Sequence, residues 1–272
     1  MNKEGYRITV SKGDAGVIPL RTEWQAKTDL GSVREVNEDR YFASDTLGLW
    51  AIADGMGGMS RGDWAASQVV QALAALPRED DLDAMLRQAA AALEQANAAI
   101  RTESAARGEQ MGTTAVLLVV RERDFGIVWI GDSRGYLLRH GKLHRLTRDH
   151  SQVRELVDRG LLDEASAARH PLRNVLTRAV GVADPPLGLE MIRDRLEPED
   201  LLLLCSDGLY GVVDEAELEA VLGSVPLSGL GDALIARCIA GGAPDNITLV
   251  AVSATEATLV QFGSGDHAGV EQ

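Results

Sequence analysis

The apolar residues of this chain fall into strand-length runs, and several of those runs meet an aspartate. Gly48–Ala53 ends in Asp54-Gly55, Gly126–Ile130 in Gly131-Asp132, and Leu201–Cys205 in Ser206-Asp207-Gly208. Ile247–Val252 is preceded by Asp245-Asn246, and Asn37-Glu38-Asp39 leads into Arg40–Ala43. Short apolar runs bounded by Gly and Asp read as strands buried on both faces. A side chain at a strand end sits on the rim of a sheet, and a neighbouring Gly lets backbone and ligand approach closely.

Further strands are predicted at Trp24–Thr28, Thr113–Val120, Gly135–Arg139 and Leu187–Ile192, several rich in β-branched and aromatic residues. Helical spacing marks Trp64–Leu76, through Ala65, Val69, Leu73 and Leu76. It also marks Leu82–Glu103, through Leu82, Met85, Leu86, Leu93, Ala96 and Ile100. Asp214–Leu222 opens on Asp214 as N-cap, and Leu230–Ala240 closes on Gly241-Gly242. The order is strands, two long helices, more strands, then helices and a last strand. That is not the βαβα alternation of a doubly wound parallel sheet, and it predicts an α+β fold with helices covering sheets.

With 272 residues, 45% hydrophobic and 25% charged, the chain suits a globular fold with a sizeable core. We expect one domain over residues 21–256, after a loose lead-in at 1–20 and before a tail at 257–272. Forty-one acidic against 27 basic residues leave a charge of −14, which disfavours a nucleic-acid partner. No apolar run approaches the ~18 residues that span a membrane. Met1–Leu20 lacks the basic and apolar regions of a signal peptide. Cys205 and Cys238 stand apart and outside any CxxC, and read as small buried hydrophobes in a reducing cytoplasm.

If the strand rims meet, Glu38, Asp39, Asp54, Asp132, Asp207 and Asp245 share one cleft. Clustered carboxylates repel and raise one another's pKa, and divalent cations resolve the conflict. Oxygen donors without His or Cys favour magnesium, manganese or calcium over zinc. Arg34 stands four residues before Glu38, and its planar fork suits phosphate oxygens. Metals with an arginine point to phosphoryl chemistry.

At these residues the sequence closely resembles the metal-dependent protein serine/threonine phosphatases, the PPM or type 2C family, in its bacterial branch. The matching stretches are Arg34–Asp39, Ala53–Gly58, Gly112–Thr114, Gly131–Gly135, Thr147–Ser151, His170-Pro171 with Leu176–Gly181, Cys205–Gly208 and Asp245–Thr248. They run in the family's order over about residues 24–253. The resemblance implies a four-layer αββα sandwich, two antiparallel sheets flanked by helix pairs. It implies that Asp54 bridges two Mn2+ or Mg2+ ions, with Asp207 and Asp245 completing the first ion's protein ligands. Glu38 and the Gly55 carbonyl would hold the second, with Asp39 acting through water. Asp132, with Asp207, resembles the site of a weaker third ion. Arg34 matches the substrate-phosphate clamp, and Gln152–Val180 matches a flap beside the active site.

The implied reaction is attack on phosphoserine or phosphothreonine by a metal-bridged hydroxide, without a phosphoenzyme. Neither cysteine lies in a Cys-x5-Arg loop, and there is no Asp-x-Asp-x-Thr motif. Met56 and Met59 stand where some members carry histidines proposed to assist the leaving group. His150 and His170 read as structural, and His140 and His144 as solvated residues flanking a turn at Gly141-Lys142. Implied partners are phosphorylated proteins, including a serine/threonine kinase or its targets in bacterial signal transduction, met by a monomer without nucleic acid or membrane. Other readings are a catalytically silent binder of phosphoproteins or of a kinase, a hydrolase of small phosphomonoesters, and a sigma-factor-regulating relative. All six ligand positions are acidic, which weighs against the silent form.

Overall fold

The computed structural model describes residues 20–56, 61–167 and 169–256. The expected lead-in up to residue 19, Gly57, Gly58, Met59 and the tail at 257–272 lie outside the described residues. In chain order the elements are Leu20–Asp29 (β1), Arg40–Ser44 (β2), Leu49–Ala53 (β3), Gly55–Met56 (β4), Gly62–Ala74 (α1), Leu82–Arg107 (α2), Gly112–Thr113 (β5), Ala115–Arg121 (β6) and Asp124–Ile130 (β7). Then come Arg134–Arg139 (β8), Lys142–Arg145 (β9), Gln152–Asp158 (α3), Glu164–Ala167 (α4), Glu190–Arg195 (β10), Leu201–Cys205 (β11), Asp207–Tyr210 (α5), Glu215–Leu222 (α6), Leu227–Ala240 (α7) and Ile247–Glu256 (β12).

Two antiparallel sheets form the centre, ordered β1-β12-β11-β8-β9 and β10-β7-β6-β3-β2, with a small β4-β5 ribbon beside them. Alternate residues of one strand serve different layers. Trp50 and Ile52 of β3 pack between the sheets with Leu202, Leu204, Val250 and Val252. Leu49, Ala51 and Ala53 turn outward onto α1 and α2, through Val69, Leu73 and Leu93. On the other side Leu203, Cys205, Leu249 and Ala251 meet Leu218, Leu230, Leu234 and Cys238 of α6 and α7. This is the predicted αββα sandwich, and it explains why central strands read as unbroken apolar runs: both faces are covered.

Helix ends follow their local chemistry. Asp81 and Asp214 cap α2 and α6 by accepting from Ala84 N and Glu217 N, each at 2.8 Å. Some expected boundaries shift. Leu20, assigned to the lead-in, already pairs with Glu256. The Leu187–Ile192 strand lies instead at Glu190–Arg195, because Leu187 is buried and its N–H donates to Glu94 Oε1 of α2. The β8–β9 turn is His140-Gly141, both with positive φ, since Arg139 pairs with Lys142.

Candidate active site

Strand register brings the acids to one edge of the sandwich. Arg40 pairs with Ala53, so Asp39 and Asp54 are neighbours at adjoining strand ends. In the other sheet Cys205 pairs with both Leu249 and Arg134, bringing Asp207 towards the Asp245-Asn246 turn and the Asp132 turn. The edge therefore gathers residues from both sheets.

Hydrogen bonds from neighbouring turns hold several of the acids in place. Asp54 N–H donates to Thr114 Oγ1 at 3.1 Å, and its carbonyl accepts from Thr114 N at 2.8 Å and Thr113 Oγ1 at 2.9 Å. Thr114 Oγ1 also lies 2.7 Å from Ser133 Oγ, joining the Asp54 and Asp132 turns. Ser206 Oγ donates to Asp39 Oδ2 at 2.8 Å and accepts from Thr248 N at 2.9 Å. Asn246 shapes the loop that carries Arg34 and Glu38: its Oδ1 accepts from Glu38 N, and its Nδ2 donates to the Leu30 and Val36 carbonyls. Glu38 Oε1 accepts from Gly62 N at 2.9 Å, where α1 begins. A side chain on Gly208 would collide with the Asn246 carbonyl, so only glycine lets the Asp207 turn lie this close to Asp245.

Behind Asp132 stands a fixed cation. Arg134 makes a two-pronged bond to Asp149, at 3.0 and 2.7 Å, and its guanidinium lies 3.6 Å from the centre of the Tyr210 ring. Tyr210 Oη donates to the Asp132 carbonyl at 3.0 Å. His150 is buried and accepts from Gly131 N at Nδ1, so its proton sits on Nε2, 3.1 Å from Glu190 Oε1. Burial and then Arg178 lower its pKa, which keeps it neutral. His150 is a structural pin, as the sequence implied. Its carbonyl accepts from Thr177 N, and Gln152 N donates to the Val175 carbonyl, so it anchors the base of the flap.

The electrostatics are those of crowded carboxylates. Burial, then the charges of Asp39, Asp207, Asp132 and Asp245, hold Asp54 well above the ordinary carboxylate range. Burial and Asp207 do the same to Asp132, and Arg134 opposes them. Asp207 is pushed up to about 7 by burial, Asp245 and Asp39, and Asp39 to about 6, mainly by burial. Glu38 is raised by burial too. Among the described residues no three such side chains close into an ion-holding group. Like charges spread where other donors satisfy them: Arg34 Nη2 on Asp245 Oδ2 at 2.7 Å, and Ser206 on Asp39. An all-oxygen donor set with this much unrelieved repulsion fits hard divalent cations.

All six acids and Arg34 therefore lie on one edge, with Gly55 buried beside Thr113. Sequence reasoning did not assign roles to Asn246, Ser206, Thr114, Arg134 or Tyr210. Asn246, Ser206 and Arg134 stand within two residues of a motif acid, and that nearness was the available signal; Thr114 and Tyr210 reach the acids only through packing. Met56 is half-buried, and Cys205 and Cys238 are buried free thiols.

A family profile described as protein phosphatase 2C matches residues 32–233. The serine/threonine protein phosphatase PstP of Mycobacterium tuberculosis is 38% identical over 237 residues, covering 86% of this chain. The chain spans only 45% of PstP's own length. The serine/threonine phosphatase stp of Listeria monocytogenes is 36% identical over 250 residues, 87% of this chain and 96% of that protein. Among solved structures, PppA, a key regulatory component of T6SS in Pseudomonas aeruginosa, superposes with a TM-score of 0.80 at 39% identity, covering 86% of this chain and 97% of that one. The catalytic domain of PstP in complex with two manganese ions gives 0.77 at 33% identity, covering 88% and 100%.

Proposed function

Because the chain belongs to the protein phosphatase 2C family, we propose that it hydrolyses phosphoserine and phosphothreonine in proteins, with manganese or magnesium as cofactor. The observation that carries this reading is the meeting of six carboxylates and one arginine on a single edge built from both sheets. Asp54 would be shared by two ions, with Asp207 and Asp245 on one and Glu38 and the Gly55 carbonyl on the other. Asp39 would act through water, and Asp132 with Asp207 would serve a weaker third ion. Bound ions supply charge neutralisation and an acidified water for direct attack on phosphorus.

The chain's own residues do the rest. Arg34 turns its fork to the substrate's non-bridging oxygens and sets the phosphate in line. Asn246 holds the Arg34–Glu38 loop in place. Neither cysteine offers a covalent route, since burial pushes the thiols of Cys205 and Cys238 up. His150 is committed to Gly131 and Glu190, so it is no proton donor to the leaving group.

We place the protein in the cytoplasm as a monomer, acting on phosphoproteins that include a serine/threonine kinase or its targets. The two free cysteines support a reducing compartment, and all the proposed ligands come from one chain. No helix of the described residues is long and apolar enough to cross a membrane. The test assays a phosphothreonine peptide and p-nitrophenyl phosphate with manganese and with chelator. Manganese-dependent release of phosphate from the peptide supports the reading. Turnover of the small ester alone, or binding of the peptide without turnover, overturns it.

A further inference from the structure

A cavity of about 440 Å³ runs from the carboxylate edge to the flap. Its lining includes Arg34, Asp207 and Asp245 of the carboxylate edge together with Arg145, Arg154 and Arg173. This volume lies within the ~300–1,000 Å³ of small-ligand pockets, and it exceeds what one phosphate group fills. The cavity therefore has room for a second group of the same substrate.

The charges there are not all spent. Arg154 is held by Asp158 and by Glu164, each at 2.7 Å, so it contributes little free charge. Arg134 is taken by Asp149. Among the described residues Arg145 pairs with Glu215 alone, at 3.8 Å, beyond hydrogen-bond distance. Arg173 pairs with no acid among the described residues. Its position is fixed by the turn, where Arg173 N donates to the His170 carbonyl at 3.0 Å and Val175 N to the Leu172 carbonyl at 3.1 Å. The flap base, pinned at His150, holds that turn over the cavity.

Two arginines without full partners, on fixed backbone, facing a cavity continuous with the reaction edge, make a site for an anion. Resting on the phosphatase reading, we propose that Arg145 and Arg173 form a second anion subsite, which takes a phosphate or carboxylate borne by a residue close in sequence to the phosphoresidue being hydrolysed. The preferred substrate is then a multiply phosphorylated or acidic segment rather than an isolated phosphoresidue.

The experiment uses phosphothreonine peptides of one sequence. Alanine, glutamate or the non-hydrolysable phosphonate analogue of phosphoserine is placed in turn at each position near the phosphothreonine. With manganese, the best anion-bearing peptide should exceed its alanine counterpart in kcat/KM by about five- to tenfold, less at high salt, as two partly exposed cations permit. In R145A/R173A the ratio should fall to within about twofold of unity, and in R145E/R173E it should drop below one. Glutamate and phosphonate arms tell which anion is favoured. An unchanged ratio in the variants, or an equal loss on every peptide, overturns the subsite while leaving the phosphatase reading intact. Absence of turnover on every peptide overturns the phosphatase reading and the subsite with it.

Discussion

Arg34 Nη2 donates to Asp245 Oδ2 at 2.7 Å across 211 residues of sequence. The proposed phosphate clamp and a proposed ion ligand thus hold each other. One carboxylate serves either the guanidinium or a cation most fully, so ion binding at Asp245 loosens Arg34 for phosphate.

Arg34→Ala should lower kcat/KM on a phosphopeptide by about a hundredfold, because a charge-assisted fork on the phosphate is lost. Manganese affinity, read by titration calorimetry, should stay the same or rise, since a competitor for Asp245 is gone. Weaker manganese binding would contradict the competition.

Asp54→Asn should cut manganese-dependent turnover by about a thousandfold or more. In chelator the variant should melt at a higher temperature than the wild type, because a buried carboxylate repelled by four others has become neutral. Manganese should no longer raise that melting temperature. Asp245→Asn should abolish turnover too, with the protein still folded by circular dichroism.

The acids predict a direction for pH. Asp39 and Asp207 are pushed up to about 6 and about 7 in the folded chain, burial first in both. An unfolded aspartate titrates near ~3.9. Between these values the folded state binds more protons than the unfolded state, so ion-free stability falls as pH rises. The penalty is absent below ~3.9 and complete above about 7. Calorimetry in chelator should show a melting temperature that drops from pH 5.5 to pH 8, and manganese should stabilise more at pH 8. A melting temperature rising with pH in chelator would contradict this.

Gly208→Ala should destabilise the fold by about 2 kcal/mol or more, since its Cβ overlaps the Asn246 carbonyl. Asp207 and Asp245 move apart with it, so manganese affinity falls as well. Urea unfolding and metal titration read the two effects separately.

The sequence made the central strands legible because both their faces are covered, which leaves runs such as Leu201–Cys205 wholly apolar. The acids were legible because each sits beside a run end. The flap was not legible as helices. In α3 Val153 is the one buried side chain, so no apolar period shows. β10 is an edge strand of mixed burial and reads poorly for the same reason. Pairings such as Arg34 with Asp245 depend on strand register across the whole chain, which local pattern does not carry. The Arg134–Tyr210 stack was hidden likewise: the two residues meet only once β8 and α5 are packed.

The pairing of β1 with β12 has a temporal consequence. These neighbours come from opposite ends of the sandwich's sequence, Leu20 facing Glu256 and Asp29 facing Ile247. A ribosome emits the arginine loop early and the Asp245 turn late, and the nascent chain lacks the second while it already displays the first. The central strand β12 enters between β1 and β11 after both of them have been made. A translation product stopped before β12 therefore lacks the Asp245 turn and the central strand beside β1.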